Sequence, residues 1–473
     1  MPDMKDSTMG RIRHIHFVGI GGAGMSGIAE ILHNLGYTVS GSDLKSGPVT
    51  THLQKLGIQI RQGHNAEYVN GSDVVVVSSA VQRDNPELVA ARARRIPVIP
   101  RAEMLAEIMR FRHGIAIAGT HGKTTTTSLV ASLLAEEGLD PTFVIGGQLN
   151  SIGSNARLGS SKYLVAEADE SDASFLHLQP VMAILTNIDA DHLETYQGSY
   201  DRLSQTFLDF LQRLPFYGLA VLCIDDQGVR EILPEVTKPF ITYGIDQKAD
   251  FTASDIRFDR TRTSFTVSTP GKPGWLNVTL NLPGRHNILN ALGAIAVTAE
   301  LGISDRSIVR ALQNFKGVAR RCNLMGDISI NGRQLMVVDD YAHHPSELRA
   351  TWNAIRTGWP GRNILVIFQP HRYTRTRDLF TEFSQVLSGM DALVLLNVYP
   401  AGEKPIAGAD SESLCEAVRT RNGNRPALFE KREAVIEALP GLVADKDIVL
   451  IMGAGDIGHL ASELVGRYGK VVH

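Results

Sequence analysis

Residues 114–127 read Gly-Ile-Ala-Ile-Ala-Gly-Thr-His-Gly-Lys-Thr-Thr-Thr-Thr, and the reading of the whole fold turns on them. The first five form a short apolar run of the kind buried in a parallel sheet, and 124–137 has helical character, so a glycine loop lies between a strand and a helix. Backbone N–H groups at a helix N-terminus present partial positive charge to phosphate oxygens. Lys123 adds a full charge, and the Thr124 hydroxyl suits Mg2+. The spacing departs from the standard phosphate loop, whose first glycine would fall at Ile117. A glycine turn that merely caps a helix is the alternative; four consecutive threonines are poor helix formers, and a hydroxyl-rich phosphate and metal site accounts for them better.

Upstream, apolar runs at 15–18, 37–40 and 74–78 alternate with amphipathic stretches at 25–35 and 49–56, the pattern of βαβ units in a parallel sheet. Residues 19–24, Gly-Ile-Gly-Gly-Ala-Gly, follow the first run and open a helix, with Asp43 about 20 residues on. Alone, this fingerprint predicts NAD or FAD. Its glycines require only that backbone approach a diphosphate closely, and UDP carries one too. A role confined to strand–helix packing is the other reading. His64, Ser78, Ser79 and Arg101 are available to complete a nucleotide site, and each is also compatible with a polar surface position.

Downstream, Glu167, Asp169, Glu170 and Asp172 follow the apolar run 163–166, so carboxylates emerge where open α/β sheets bind ligands. Another strand is read at 184–187, with Asp189, Asp191 and His192 beyond it. Carboxylates are the hard donors that Mg2+ prefers, whereas imidazole is a less usual ligand. Past Phe315 the chain becomes Gly- and Arg-rich, and strands resume at 335–338, 364–368, 392–396 and 448–452. The expectation is an α/β protein of three domains, 1–106, 107–321 and 322–473, with a small antiparallel excursion at 252–278 inside the middle one.

A formal net charge of −3 sets aside non-specific nucleic-acid or membrane-surface binding, both of which rest on a broad excess of Lys and Arg. Cys223, Cys322 and Cys415 are odd in number and far apart, which supports neither a disulfide framework nor a CxxC metal site. Residues 1–13 are polar and no run approaches a membrane span, so the cytoplasm is the expected compartment.

Five ordered motifs resemble those of the Mur ligases: Gly-Thr-His-Gly-Lys-Thr-Thr at 119–125, Glu-Ala-Asp-Glu-Ser at 167–171, Asn187 followed by Asp191-His192, Gly-Arg-His-Asn-Ile-Leu-Asn-Ala at 284–291, and Asp-Asp-Tyr-Ala-His-His-Pro at 339–345. The resemblance runs over nearly the whole chain. It implies a Rossmann-like N-terminal domain for a UDP-sugar, a central P-loop ATPase domain and a Rossmann-like C-terminal domain that closes over the site. Within the family, 16–27 and 368–377 are similar to the branch that joins L-alanine to UDP-N-acetylmuramate for peptidoglycan synthesis. A sister branch attaches a recycled tripeptide to the same sugar.

Carried over by motif, Gly19, Gly21, Gly22, Ala23, Gly24, Met25, Ser26 and Asp43, with His64, Ser78, Ser79 and Arg101, are implied to hold the UDP-sugar. ATP falls to Gly119, Thr120, His121, Gly122, Lys123, Thr124 and Thr125, its adenine to His286, Asn287 and Asn290, with Arg321 and Asp340 also implied. Thr124 is implied for one Mg2+, and Glu167 with His192 for a second, Mn2+ being a conceivable substitute. Tyr341, His343, His371, Arg372 and Arg375 are the amino-acid candidates, and His343 the candidate base. Phe207 stands where sister ligases carry a carbamylated lysine, so no modified lysine is expected, and Cys322 replaces an aromatic expected after the paired arginines. A monomer or weak homodimer is expected. Readings from other classes, an NAD-dependent oxidoreductase or a nucleotide-gated regulator, leave the acidic, Asn and Arg set without a role.

Overall fold

The computed structural model describes residues 9–78, 80–151, 154–423, 426–443 and 448–469. The first sheet is wholly parallel. Its strands β1 (His14–Val18), β2 (Thr38–Asp43), β3 (Gln59–Gln62), β4 (Val74–Val77) and β5 (Val98–Pro100) lie in the order β3-β2-β1-β4-β5. Helices α1 (Ala23–Asn34), α2 (Pro48–Lys55), α3 (Pro86–Ala93) and α4 (Arg101–Arg110) connect or follow them. The chain adds strands on one side of β1 and then on the other, so the loops after β1 and β4 flank the crevice where such sheets bind ligands.

The second sheet holds β6 (His113–Ala118), β7 (Thr142–Leu149), β8 (Ser154–Arg157), β9 (Tyr163–Glu167), β10 (Met182–Leu185), β11 (Leu219–Cys223), β12 (Phe240–Gly244), β13 (Phe251–Asp259), β14 (Arg262–Thr269) and β15 (Lys272–Leu280). Their order is β15-β14-β13-β12-β11-β10-β6-β9-β7-β8. β13–β15 are the expected Thr-rich excursion. Helices α5 (Lys123–Glu136), α6 (Tyr200–Gln212), α7 (Gln227–Ile232), α8 (Arg285–Glu300) and α9 (Asp305–Gln313) accompany this sheet in sequence.

The third sheet joins β16 (Asn323–Ile330), β17 (Arg333–Asp340), β18 (Ile364–Phe368), β19 (Ala392–Leu396), β20 (Ala427–Phe429) and β21 (Ile448–Met452) in the order β16-β17-β21-β18-β19-β20. Only β16 runs antiparallel to its neighbour. Its helices are α10 (Pro345–Gly358), α11 (Tyr373–Asp378), α12 (Phe380–Leu387), α13 (Ser411–Asn422), α14 (Arg432–Leu442) and α15 (Gly458–Tyr468). No helix among the described residues is long and apolar enough to cross a membrane.

The three sheets fall into two compact bodies. One comprises 1–254, 266–278 and 289–315; the other comprises 255–265, 279–288 and 316–473. In the first body a single apolar cluster includes Ile15, Phe17 and Ile28 beside the first sheet and Ala116, Val144, Leu164 and Leu185 of the second. Close approach of α1 to β8 seals the join, since a Cβ on Gly27 would stand 2.6 Å from that of Ala156. β10 begins and ends two residues earlier than the strand read at 184–187. Thr186 and Asn187 leave the ladder because their side chains bind the loop at His121.

Phe207 lies on α6, wholly buried, its ring edge-on to Phe175 at 5.4 Å. Phe207→Ala should cost about 3–5 kcal/mol by urea unfolding, the usual range for emptying an aromatic site, and a loss below about 1 kcal/mol would contradict this packing. In the second body, burial pushes the imidazole of His286 down to about 4 from its ordinary 6.5, with Glu347 opposing and Arg321 adding to the shift. The unfolded chain takes up this proton near pH 6.5 and the folded chain only near pH 4, so stability is lost as pH falls through that window. Urea midpoints measured across it should fall less steeply for His286→Gln than for the unsubstituted chain; equal slopes would remove His286 as a source.

Candidate active site

Strand β6 delivers the glycine loop and α5 receives it. Gly119 has φ +125° and Gly122 φ +81°, backbone that disfavours any residue with a Cβ. Space is closed there as well: a Cβ would lie 2.1 Å from Thr186 Oγ1 at Gly119 and 2.5 Å from Asn290 Oδ1 at Gly122. The loop between them is held from β10. Asn187 Oδ1 accepts from His121 N at 2.8 Å, the Asn187 amide donates to His121 O at 3.0 Å, and Thr120 Oγ1 accepts from Asp189 N at 2.9 Å. His121 Nε2 lies 3.0 Å from Asp189 Oδ2.

Lys123 turns back under this loop. Its ammonium donates to Gly119 O at 2.7 Å, Thr120 O at 3.1 Å and Glu170 Oε2 at 2.6 Å. Burial alone would lower its pKa, but Glu170, Asp169 and Glu167 outweigh that and hold it above the ordinary value, so it remains a cation. The threonine run divides in two. Thr124 and Thr125 keep slight exposure, whereas Thr126 and Thr127 are fully buried and the Thr127 hydroxyl bonds Lys123 O at 2.9 Å. Thr126 and Thr127 are therefore core, not phosphate site, because α5 is enclosed at every position from 124 to 131.

Thr124 follows β6, Glu167 ends β9 and His192 follows β10, and these three strands are adjacent and parallel in the sheet. Neighbouring strands lie about 4.8 Å apart, which brings the three metal candidates to one edge. Glu167 Oε1 accepts from Gly146 N at 2.7 Å. His192 adopts φ +55° and lies 3.6 Å from Asp191 Oδ2. A hydroxyl and a carboxylate fit Mg2+, and a glycine cradle closed to any Cβ at a helix N-terminus beside a cation fits polyphosphate.

In the first sheet, Gly19 has φ +81°, and a Cβ there would meet Ser78 Cβ at 3.3 Å, so the loops after β1 and β4 touch. Asp43 Oδ2 accepts from Gly21 N at 2.8 Å, which makes its carboxylate a brace for the glycine loop. Gly22 caps α1, which Ala23 opens. A Cβ on Gly24 would stand 2.5 Å from an Arg101 guanidinium nitrogen, and Arg101 reaches Asp169 at 3.4 Å. Arg101 thus links the first glycine loop to the acidic segment that holds Lys123. Met25 and Ser26 are buried, and Ser26 Oγ accepts from Asn155 at 3.4 Å. His64 Nδ1 lies 2.7 Å from Glu87, which also binds His16 at 2.6 Å and Ser42 at 2.7 Å. Burial would raise Glu87, but these hydrogen bonds keep it below its ordinary value. Ser79 lies outside the described residues.

Asn287 and Asn290 sit one turn apart on α8; the Asn287 amide donates to Pro283 O at 2.7 Å, and Asn290 borders Gly122. The C-terminal body gathers the remaining candidates at the carboxyl ends of β17 and β18. Asp340 accepts from Cys322 N at 2.6 Å and Ala342 N at 2.7 Å. Tyr341 lies against both arginines, with the Arg320 and Arg321 guanidinium carbons 4.9 and 5.2 Å from its ring centre. Cys322, where an aromatic was expected, adopts φ +48°. His343 Nδ1 lies 3.0 Å from Tyr341 O, and its ring is edge-on to His371 at 5.9 Å. Arg375 is buried, 3.4 Å from His371 Nδ1, and Arg372 opens α11. Glu170 was read only as one of a cluster of ligand-binding carboxylates, not as the partner of Lys123, and Thr186 and Glu87 had no assigned role.

Models of the Mur ligase family match along the chain: "Mur ligase family, catalytic domain" at 14–113, "Mur ligase middle domain" at 117–298 and "Mur ligase, glutamate ligase domain" at 320–455. A UDP-N-acetylmuramate-alanine ligase from Thermotoga maritima is 31% identical, with 97% of this chain and 99% of that one covered and a TM-score of 0.81. A murein peptide ligase from Psychrobacter arcticus is 26% identical over 98% of this chain and 100% of its own, with a TM-score of 0.70. The UDP-N-acetylmuramate:L-alanyl-gamma-D-glutamyl-meso-diaminopimelate ligase from Neisseria meningitides is 32% identical over 64% of this chain and 98% of its own, with a TM-score of 0.59. With three sheets in this order, two glycine loops and family matches from residue 14 to residue 455, the chain belongs to the Mur ligase family.

Proposed function

We propose that this ligase joins L-alanine to the carboxylate of UDP-N-acetylmuramate at the expense of ATP, a step of peptidoglycan precursor synthesis. The observation that carries the reading is the Lys123 loop, with Glu167 at the end of β9 and Thr124 and His192 on the segments that follow the two strands adjacent to it in the sheet, β6 and β10. Likeness to the Thermotoga maritima enzyme over nearly the full length of both chains supports the choice of amine. A second reading, attachment of a tripeptide to the same sugar, is favoured by the likeness to the two murein peptide ligases. We place the reaction in the cytoplasm and set its domains at 1–106, 107–321 and 322–473.

A carboxylate is a poor acylating agent, so phosphoryl transfer from ATP supplies the leaving group: an acyl phosphate and ADP form, the amine attacks the carbonyl, and phosphate departs. Lys123, already a cation, exchanges its bond to Glu170 for one to phosphate. Thr124 would hold one Mg2+, and Glu167 and His192 a second; bound there, the ions would supply charge neutralisation to the transferring group, and Mn2+ would suit the same donors. Asn290, against Gly122, holds the loop from α8. Arg372 and Arg375 offer planar forks for the amino-acid carboxylate, and His343 is the candidate acceptor of the amine proton.

Phosphate release with ATP, Mg2+ and UDP-N-acetylmuramate should require L-alanine; release driven only by the tripeptide would transfer the assignment to the recycling reaction. Lys123→Ala should lower turnover by about a hundredfold or more while UDP-sugar binding, read by calorimetry, survives. Loss of both would contradict two separate nucleotide sites. For Arg372→Ala the alanine KM should rise about tenfold to a hundredfold, the worth of a charge-assisted fork, and an unchanged KM would remove Arg372 from the pocket.

A further inference from the structure

The loop after β19, residues 399–403, belongs to none of the motifs above, yet it holds segment 370–374 through backbone hydrogen bonds, a carboxylate and a ring contact. Tyr399 N donates to Pro370 O at 2.8 Å, and Arg372 N donates to Tyr399 O at 2.9 Å, closing a bridge between His371 and Tyr399. The carboxylate of Glu403 accepts from Thr374 N at 3.0 Å and from Thr374 Oγ1 at 2.7 Å. The Tyr399 ring lies parallel to the His371 imidazole, with centroids 5.4 Å apart and planes at 7°. The ring also approaches Gly455, where a Cβ would stand 2.7 Å from Tyr399 Cγ and 2.9 Å from Gln369 Oε1. Gln369 Oε1 also accepts from Ile457 N at 3.2 Å, so the glycine loop after β21 closes on the same place.

What this strap holds is strained. Arg372 adopts φ +70° and ψ 137°, a conformation that L-residues rarely populate and that persists only where its surroundings impose it. The Tyr399 carbonyl fixes the Arg372 amide, and Glu403 fixes the residue two places on. Tyr341, His343, His371 and Tyr399 form a row of ring contacts along the carboxyl ends of β17, β18 and β19. The row would lose its last member, and His371 its backing, without Tyr399.

We propose that Tyr399 and Glu403 are positioning residues for the amine substrate, presetting His371 and Arg372 so that little ordering remains when a carboxylate binds. This rests on the assignment of His371, Arg372 and Arg375 to the amino-acid pocket. KM and kcat are measured for Tyr399→Leu, Glu403→Ala and Tyr399→Phe, with each substrate varied in turn and with the amine that drives phosphate release by the unsubstituted enzyme. The first two variants should raise the amine KM about tenfold, with kcat and the KM values for ATP and UDP-N-acetylmuramate within about twofold, and Tyr399→Phe should stay near the unsubstituted values. The proposal is overturned if the amine KM does not move, if all three KM values rise together, or if Tyr399→Phe is as impaired as Tyr399→Leu. Should Tyr399→Leu fail to fold, Glu403→Ala decides, since it removes two hydrogen bonds and no ring packing. Dependence on the tripeptide in the unsubstituted enzyme would sink the alanine reading alone, and the strap would still be judged by the KM of that amine.

Discussion

An ammonium largely withdrawn from water is costly unless its N–H groups find acceptors, and Lys123, its side chain 15% exposed, has three N–H groups to satisfy. Two are met by carbonyls of its own loop, which forces residues 119–123 into a tight ring and makes glycine necessary at its two ends. The third is met by Glu170, which fixes the acidic segment after β9 over the loop. Asp169, the next residue back, then lies where Arg101 can reach it, and Arg101 occupies the space that a side chain at Gly24 would fill. The two glycine loops are thereby joined through one cation, two carboxylates and one guanidinium.

Most of the strands were legible because a buried parallel strand is written as an uninterrupted apolar run, as at 364–368, 392–396 and 448–452. The glycine loops were legible for a related reason: their residue types answer to backbone geometry that is local in sequence. What could not be read is which side chains meet across long separations. Nothing near Glu170 in the sequence shows that its partner is 47 residues away, and nothing near Tyr399 points to His371. Those pairings are set by strand order, and periodicity is silent on order.

The same limit explains two partial misreadings of polar residues. Four threonines in a row looked like one chemical feature, but α5 is enclosed at every position from 124 to 131, so hydroxyls one turn in have no access to the loop. Thr126 and Thr127 belong to the interior. Thr186 and Asn187 were read as the end of a strand; their side chains instead brace the loop at His121, a use that ends the ladder at Leu185.

The contact of Gly27 with Ala156 has a bearing on how such an enzyme can be taken apart. A boundary placed at residue 107 divides one apolar cluster between two fragments, and each would present to water the surface it normally gives to the other. A chimera that took its first sheet from a relative would need matching residues on β7 and β8 as well, because a methyl group more at position 27 has nowhere to go. In the first body, the unit of exchange is therefore the pair of sheets rather than either one alone.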